Sequence, residues 1–174
     1  LIHTAEKNDF TPKLLLAVEE RNDAQKHVLF QKITRHLGAD LSGRTIGLWG
    51  LAFKPGTDDM REAPSVVLLH ELIGAGARVI AHDPVAMPVA RNELPAAWFA
   101  SGQLRFVDDQ YDALKDVDAL ALVTEWKSFR HPDLERMRVL MKNPVIFDGR
   151  NKYEPKAMQE AGFESRTLAA TCSR

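Results

Sequence analysis

Cationic and carboxylate side chains gather at three places along the chain. Lys54, Asp58, Asp59 and Arg61 fall within FKPGTDDMR, Lys127 and Arg130 within TEWKSFR (Thr124 to Arg130), and Asp148 and Arg150 within DGRN. Lysine offers a compact point charge, and arginine a planar fork that binds phosphate oxygens in pairs. Lys54, Arg61 and Arg150 around one hollow would form a pocket suited to a diphosphate. Asp58, Asp59 and Asp148 would hold those cations in place or bond to sugar hydroxyls. Taken singly, each could equally be half of a surface ion pair of little energetic weight. Whether they converge depends on the elements that carry them.

The stretch from Arg44 to Phe53 is apolar, β-branched and aromatic, as a strand buried on both faces should be. It breaks at Lys54-Pro55-Gly56, and Pro64 then suits the first turn of a helix. Ser65 to Ala77 reads as that amphipathic helix, and Arg78–His82 as a second strand ending in Asp83-Pro84. Ala86 to Gly102 should be a short helix or ordered loop. Leu104–Val107 is a third strand, followed by a short helix over Tyr111–Lys115. Asp118–Val123 is a fourth strand, Asp133–Met141 a helix, Pro144–Phe147 a fifth strand and Glu154–Ala161 a last helix, with a frayed tail from Thr167. This alternation predicts an α/β, Rossmann-like, doubly wound parallel sheet. All three polar clusters then lie at the carboxyl ends of strands, the edge where such sheets bind ligands.

A long helix over Pro12–Leu37 precedes the sheet, with Thr11 as N-cap and Gly38 as C-cap. It is roughly twice the average length and suits a connector between domains or a surface for a second subunit. Its apolar stripe, exposed on a lone domain, favours a homodimer. The 174 residues suit one domain with an appended helix. A net charge of −1 creates no field toward nucleic acid or anionic lipid. No window is apolar enough to cross a bilayer, and no signal-peptide pattern opens the chain, so the cytoplasm is the default expectation.

Other signals carry less. Gly47, Gly50 and Gly56 lack the GxGxxG spacing that opens a helix onto a pyrophosphate. Asp83 could hold a ribose at the end of the second strand, but a turn-forming Asp-Pro is the simpler reading. His82 reads as a strand-end residue, and the histidines show no metal-ligand spacing. Cys172 is the one cysteine, close to the end of the chain, and is not read as a nucleophile.

The motifs GLAFKPGTDDMREAP, AHDP, TEWKSFRHPD and FDGRN, in this order, resemble the C-terminal domain of the UDP-glucose/GDP-mannose dehydrogenase family, its UDP-glucose 6-dehydrogenase branch above all. AVEERNDAQK is similar to the end of the helix that joins that family's two domains. The resemblance implies a division into residues 1–38, part of the linking helix region, and 39–174, a UDP-sugar-binding domain. It implies that Phe53, Lys54 and Arg150 contact the UDP-sugar, and that Arg61 reaches NAD bound mainly by the other domain. The parent reaction would be a two-step, NAD-dependent oxidation of UDP-glucose to UDP-glucuronate through a cysteine-bound intermediate. The family's NAD-binding domain and nucleophilic cysteine have no counterpart in these residues, so the chain alone is expected to be inactive. A GDP-mannose or UDP-N-acetylhexosamine substrate, or a non-catalytic nucleotide-binding module, are the alternatives.

Overall fold

A computed structural model of the chain describes residues 12–168. The expectations for Thr11, the first nine residues and Cys172 fall outside them. Six strands form one all-parallel sheet in the order β3-β2-β1-β4-β5-β6: β1 Thr45–Trp49, β2 Arg78–His82, β3 Leu104–Phe106, β4 Ala119–Leu122, β5 Val145–Asp148 and β6 Glu164–Thr167. The long helix α1 spans Lys13–Leu37, with Pro12 just before its first turn. The others are α2 Pro64–Gly74, α3 Met87–Glu93, α4 Ala96–Ala100, α5 Leu134–Leu140 and α6 Pro155–Glu160, and Asp112–Leu114 and Lys127–Phe129 are short 3-10 turns.

Alternating strand residues feed two cores, one on each face. Ile46, Leu48, Val79, Ala81, Ala119, Ala121, Val145 and Phe147 pack toward α1, α2 and α3. Trp49, Ile80, Leu120, Leu122 and Ile146 pack toward α5 and α6. A strand buried on both sides has no polar face, which is why these segments read as unbroken apolar runs. On the second face Trp49 stacks on Phe129 with ring centres 4.9 Å apart, and its indole N–H donates to the Gln110 carbonyl (2.8 Å).

Two sequence expectations require correction. β1 stops at Trp49 rather than Phe53, because Gly50 turns the chain with φ +94°. A sixth strand, Glu-Ser-Arg-Thr, adds to the edge of β5 where only a loop and tail were expected.

Asp118 pins the amino end of the sheet. Its carboxylate accepts from the Thr45 backbone N–H (2.9 Å), Arg44 (3.0 Å) and Lys142 (3.1 Å). Burial works to raise its pKa, but these donors outweigh burial and hold the carboxyl below its ordinary value.

Candidate functional site

At the carboxyl edge the loops after β1, β2 and β4 are tied together by buried and part-buried polar bonds. The Thr124 hydroxyl donates to the Ala52 carbonyl (2.5 Å), and the Ser65 hydroxyl to that of Leu51. Asp83, fully buried, is the hub. Its Oδ2 accepts from the N–H groups of Leu51 (2.7 Å) and Ala52 (3.1 Å) and from the Trp126 indole (3.0 Å). Its Oδ1 accepts from the N–H groups of Val85 (2.9 Å) and Ala86 (2.8 Å). The turn-forming role expected of Asp83 is present, and its reach across to the β1 and β4 loops is an addition to it. His82 is buried, with Nδ1 2.9 Å from the Val107 carbonyl oxygen.

This packing fills the crevice where the strand order reverses, between β1 and β4. A Cβ on Gly50 would lie 2.4 Å from Thr124 Cβ and 2.6 Å from its backbone nitrogen. Dinucleotides bind at such a switch point when a glycine turn and a strand-end carboxylate are free to receive them. Here the glycine is covered and the carboxylate is already saturated. The residues present do not build that dinucleotide site.

The open space lies to one side, between the sheet edge and α1. A cavity of about 540 Å³ is walled by Phe53, Val123, Gly149 and Arg150 from the strand ends, and by α1 and the start of α2. Gly149 has no room for a side chain. A Cβ there would meet the Leu122 carbonyl at 2.7 Å and Leu29 of α1 at 3.1 Å.

Arg150 is the cation that the strand-end loops contribute to the cavity wall, facing a lining that also holds Glu19, Asp23, Lys26 and Glu62. Asp148, fully buried, shapes its loop by accepting from the N–H groups of Arg150 (2.9 Å), Lys152 (2.6 Å) and Tyr153 (2.9 Å). The Arg150 guanidinium donates to the Val123 carbonyl (2.6 Å) and the Phe53 carbonyl (3.3 Å). Among the described residues no carboxylate lies within ion-pair distance of it. Burial of the guanidinium lowers its pKa below the ordinary arginine value.

The predicted site residues divide accordingly. The bond from the Arg150 guanidinium to the Phe53 carbonyl holds Phe53 and Arg150 together in the cavity wall, with Lys54, next in the chain, exposed beside Phe53 and outside that lining. Asp148 supports the Arg150 backbone and does not touch its guanidinium. Arg61 points outward on a two-bond fork to Asp59 (2.9 and 2.7 Å) and does not line the cavity. The hydrogen bonds from Arg61 hold the Asp59 carboxyl down at about 2. Asp58 is exposed nearby. The Thr124–Arg130 segment gives the cavity no cation, because Thr124 and Trp126 turn inward and Lys127 and Arg130 are exposed elsewhere.

Lys26 of α1 also lines the cavity, although sequence reasoning did not single it out. Asn22, Asp23 and Lys26 follow Glu19 by three, four and seven residues, which places all four on one helix face. This polar stripe was the available signal, and it is easily passed over when only apolar periodicity is followed.

Comparison with known proteins gives the family. Residues 47–155 match the model of the UDP-glucose/GDP-mannose dehydrogenase family, UDP binding domain. The chain is similar to a UDP-glucose 6-dehydrogenase of Pseudomonas aeruginosa, 49% identical over 94% of the chain and 36% of that protein. It is also similar to one of Rhizobium meliloti, 36% identical over 97% of the chain and 37% of the relative. Among solved structures, a UDP-glucose dehydrogenase from Pyrobaculum islandicum superposes with TM-score 0.76 at 29% identity, covering 95% of this chain and 34% of that one. The chain thus spans about a third of the length of the relatives it matches. By its fold and by these matches, the chain belongs to the UDP-glucose/GDP-mannose dehydrogenase family, within which it corresponds to the UDP-binding domain.

Proposed function

We propose that the chain is the substrate-binding half of an NAD-dependent UDP-glucose 6-dehydrogenase, and that the cavity between α1 and the sheet edge receives the UDP part of UDP-glucose. The observation that carries this reading is Arg150: a part-buried guanidinium, fixed by two carbonyls, lacking a carboxylate partner among the described residues and lining a cavity large enough for a nucleotide. Such a group is a preformed anion receptor, since its desolvation is already met by the fold and only the opposite charge is lacking. Phe53 supplies an apolar wall, and Lys54 a second positive charge at the mouth. Asp58 and Asp59 bracket the loop that presents them.

In the parent enzyme this half positions the sugar, and the oxidation of UDP-glucose to UDP-glucuronate needs NAD held mainly by a partner domain. This chain's contribution to NAD is Arg61, exposed and oriented by Asp59. A homodimer through α1 and a cytoplasmic setting complete the reading; among the described residues no helix is long and apolar enough to cross a membrane. Calorimetric titration of the chain with UDP, GDP and NAD tests it. Weak binding of UDP, stronger than that of GDP or NAD and lost in Lys54→Ala or Arg150→Ala, is the expected result. Unchanged affinity in both variants would remove these residues from the site. The purified chain should produce no NADH from UDP-glucose and NAD, and production of NADH would overturn the half-enzyme reading.

A further inference from the structure

On the α1 wall of the cavity that Arg150 also lines, the ammonium of Lys26 sits between two carboxylates, 2.6 Å from Glu62 Oε2 and 3.1 Å from Asp23 Oδ1. The three are unequally placed. The Lys26 side chain is 20% exposed, whereas those of Glu62 and Asp23 are 80% and 63% exposed. The cation is thus fixed in the cavity wall, and the anions reach in to it from solvent. Glu62 also stands two residues before Pro64, at the start of the eleven-residue helix α2, and its backbone is left-handed at φ +57°. A non-glycine residue holds that conformation only at some cost. Its carboxylate covers the Lys26 ammonium, the place a ligand anion would need to take.

We propose that Lys26 is a second cation of the pocket, facing the ligand phosphates together with Arg150, and that Glu62 is the resident anion those phosphates displace. The inference rests on the reading of the cavity as a UDP site. The exchange is nearly balanced: a pair with one largely exposed partner is weak, so its release costs little. A phosphate held between lysine and arginine gains charge-assisted bonds that the lone carboxylate cannot supply. Glu62 then swings into water, where four-fifths of its side chain already lies.

Calorimetric titration of the 174-residue chain with UDP provides the test, using Lys26→Met, Glu62→Gln and Arg150→Ala, with circular dichroism to establish folding. Lys26→Met should weaken UDP binding about tenfold. Glu62→Gln, which removes the competing charge and leaves Lys26 in place, should tighten it about threefold, a gain that misfolding cannot imitate. If Arg150→Ala abolishes binding while Lys26→Met and Glu62→Gln both leave it unchanged, the Lys26 inference is overturned and the UDP reading stands. Failure of the unaltered chain to bind UDP would overturn both.

Discussion

Asp83 offers the sharpest test of how the site is held. Asp83→Asn keeps the shape of the side chain but turns one acceptor oxygen into an NH2 donor. Oδ1 accepts two N–H groups and Oδ2 accepts three, all from buried or half-buried positions. Either orientation of the amide therefore confronts at least two donors with a third. A buried donor left without an acceptor costs about 1–3 kcal/mol, so the variant should lose about 3–5 kcal/mol once partial relaxation is allowed. At this chain length each kcal/mol corresponds to about 2–4 °C, which places the fall in Tm near ~10 °C. Urea and thermal unfolding followed by circular dichroism give the magnitude. Amide hydrogen exchange gives the location, with Leu51, Ala52, Val85 and Ala86 losing protection ahead of the sheet centre. A loss below about 1 kcal/mol, or unchanged exchange at those four amides, would refute the idea that one carboxylate ties the ends of β1, β2 and β4.

Two further outcomes follow from the same edge and its opposite. Gly50→Ala forces a Cβ against the Thr124 backbone at a positive φ, and should cost about 3 kcal/mol or more, measured as a lowered urea midpoint with an unchanged slope. Asp118 makes stability acid-sensitive with a defined sign. Its native pKa lies below the unfolded value, so its contribution is full above about pH 4 and fades as pH falls through the native value. Urea midpoints at about pH 5 and pH 3 should therefore differ less in Asp118→Asn than in the unaltered chain.

The sheet was legible because burial on both faces leaves apolar signatures, and β1, β2, β4 and β5 each carry one. Glu164–Thr167 carries none: it is an edge strand whose pairing is entirely backbone, and backbone pairing leaves no mark on residue type. The meeting of Phe53 and Arg150, with Lys54 beside Phe53, followed from topology, since strand ends of a parallel sheet share an edge. Arg61 shows where that logic ran out. Its loop is correctly placed, but the nearest carboxylate, two residues away, captures the side chain and turns it to solvent. The reach of Asp83 to Leu51, Ala52 and Trp126 was equally hidden, because it depends on main-chain atoms brought together only by folding. Lys26 escaped notice for a related reason: its neighbours in the cavity lining are 36 and 124 residues away in sequence, at Glu62 and Arg150.

The polar sixth strand has a consequence for how these molecules behave in company. An outermost ribbon normally advertises unpaired amides and carbonyls, and invites a neighbouring chain to stack alongside. β6 discourages such growth: it is four residues long, Glu164 and Arg166 pair with each other at its surface, and Lys32 of α1 takes the carbonyl of Thr167 at its tip. At the far border β3 has only three residues. Both margins are blunted by brevity and charge, so crowding should not readily convert this fold into fibrils.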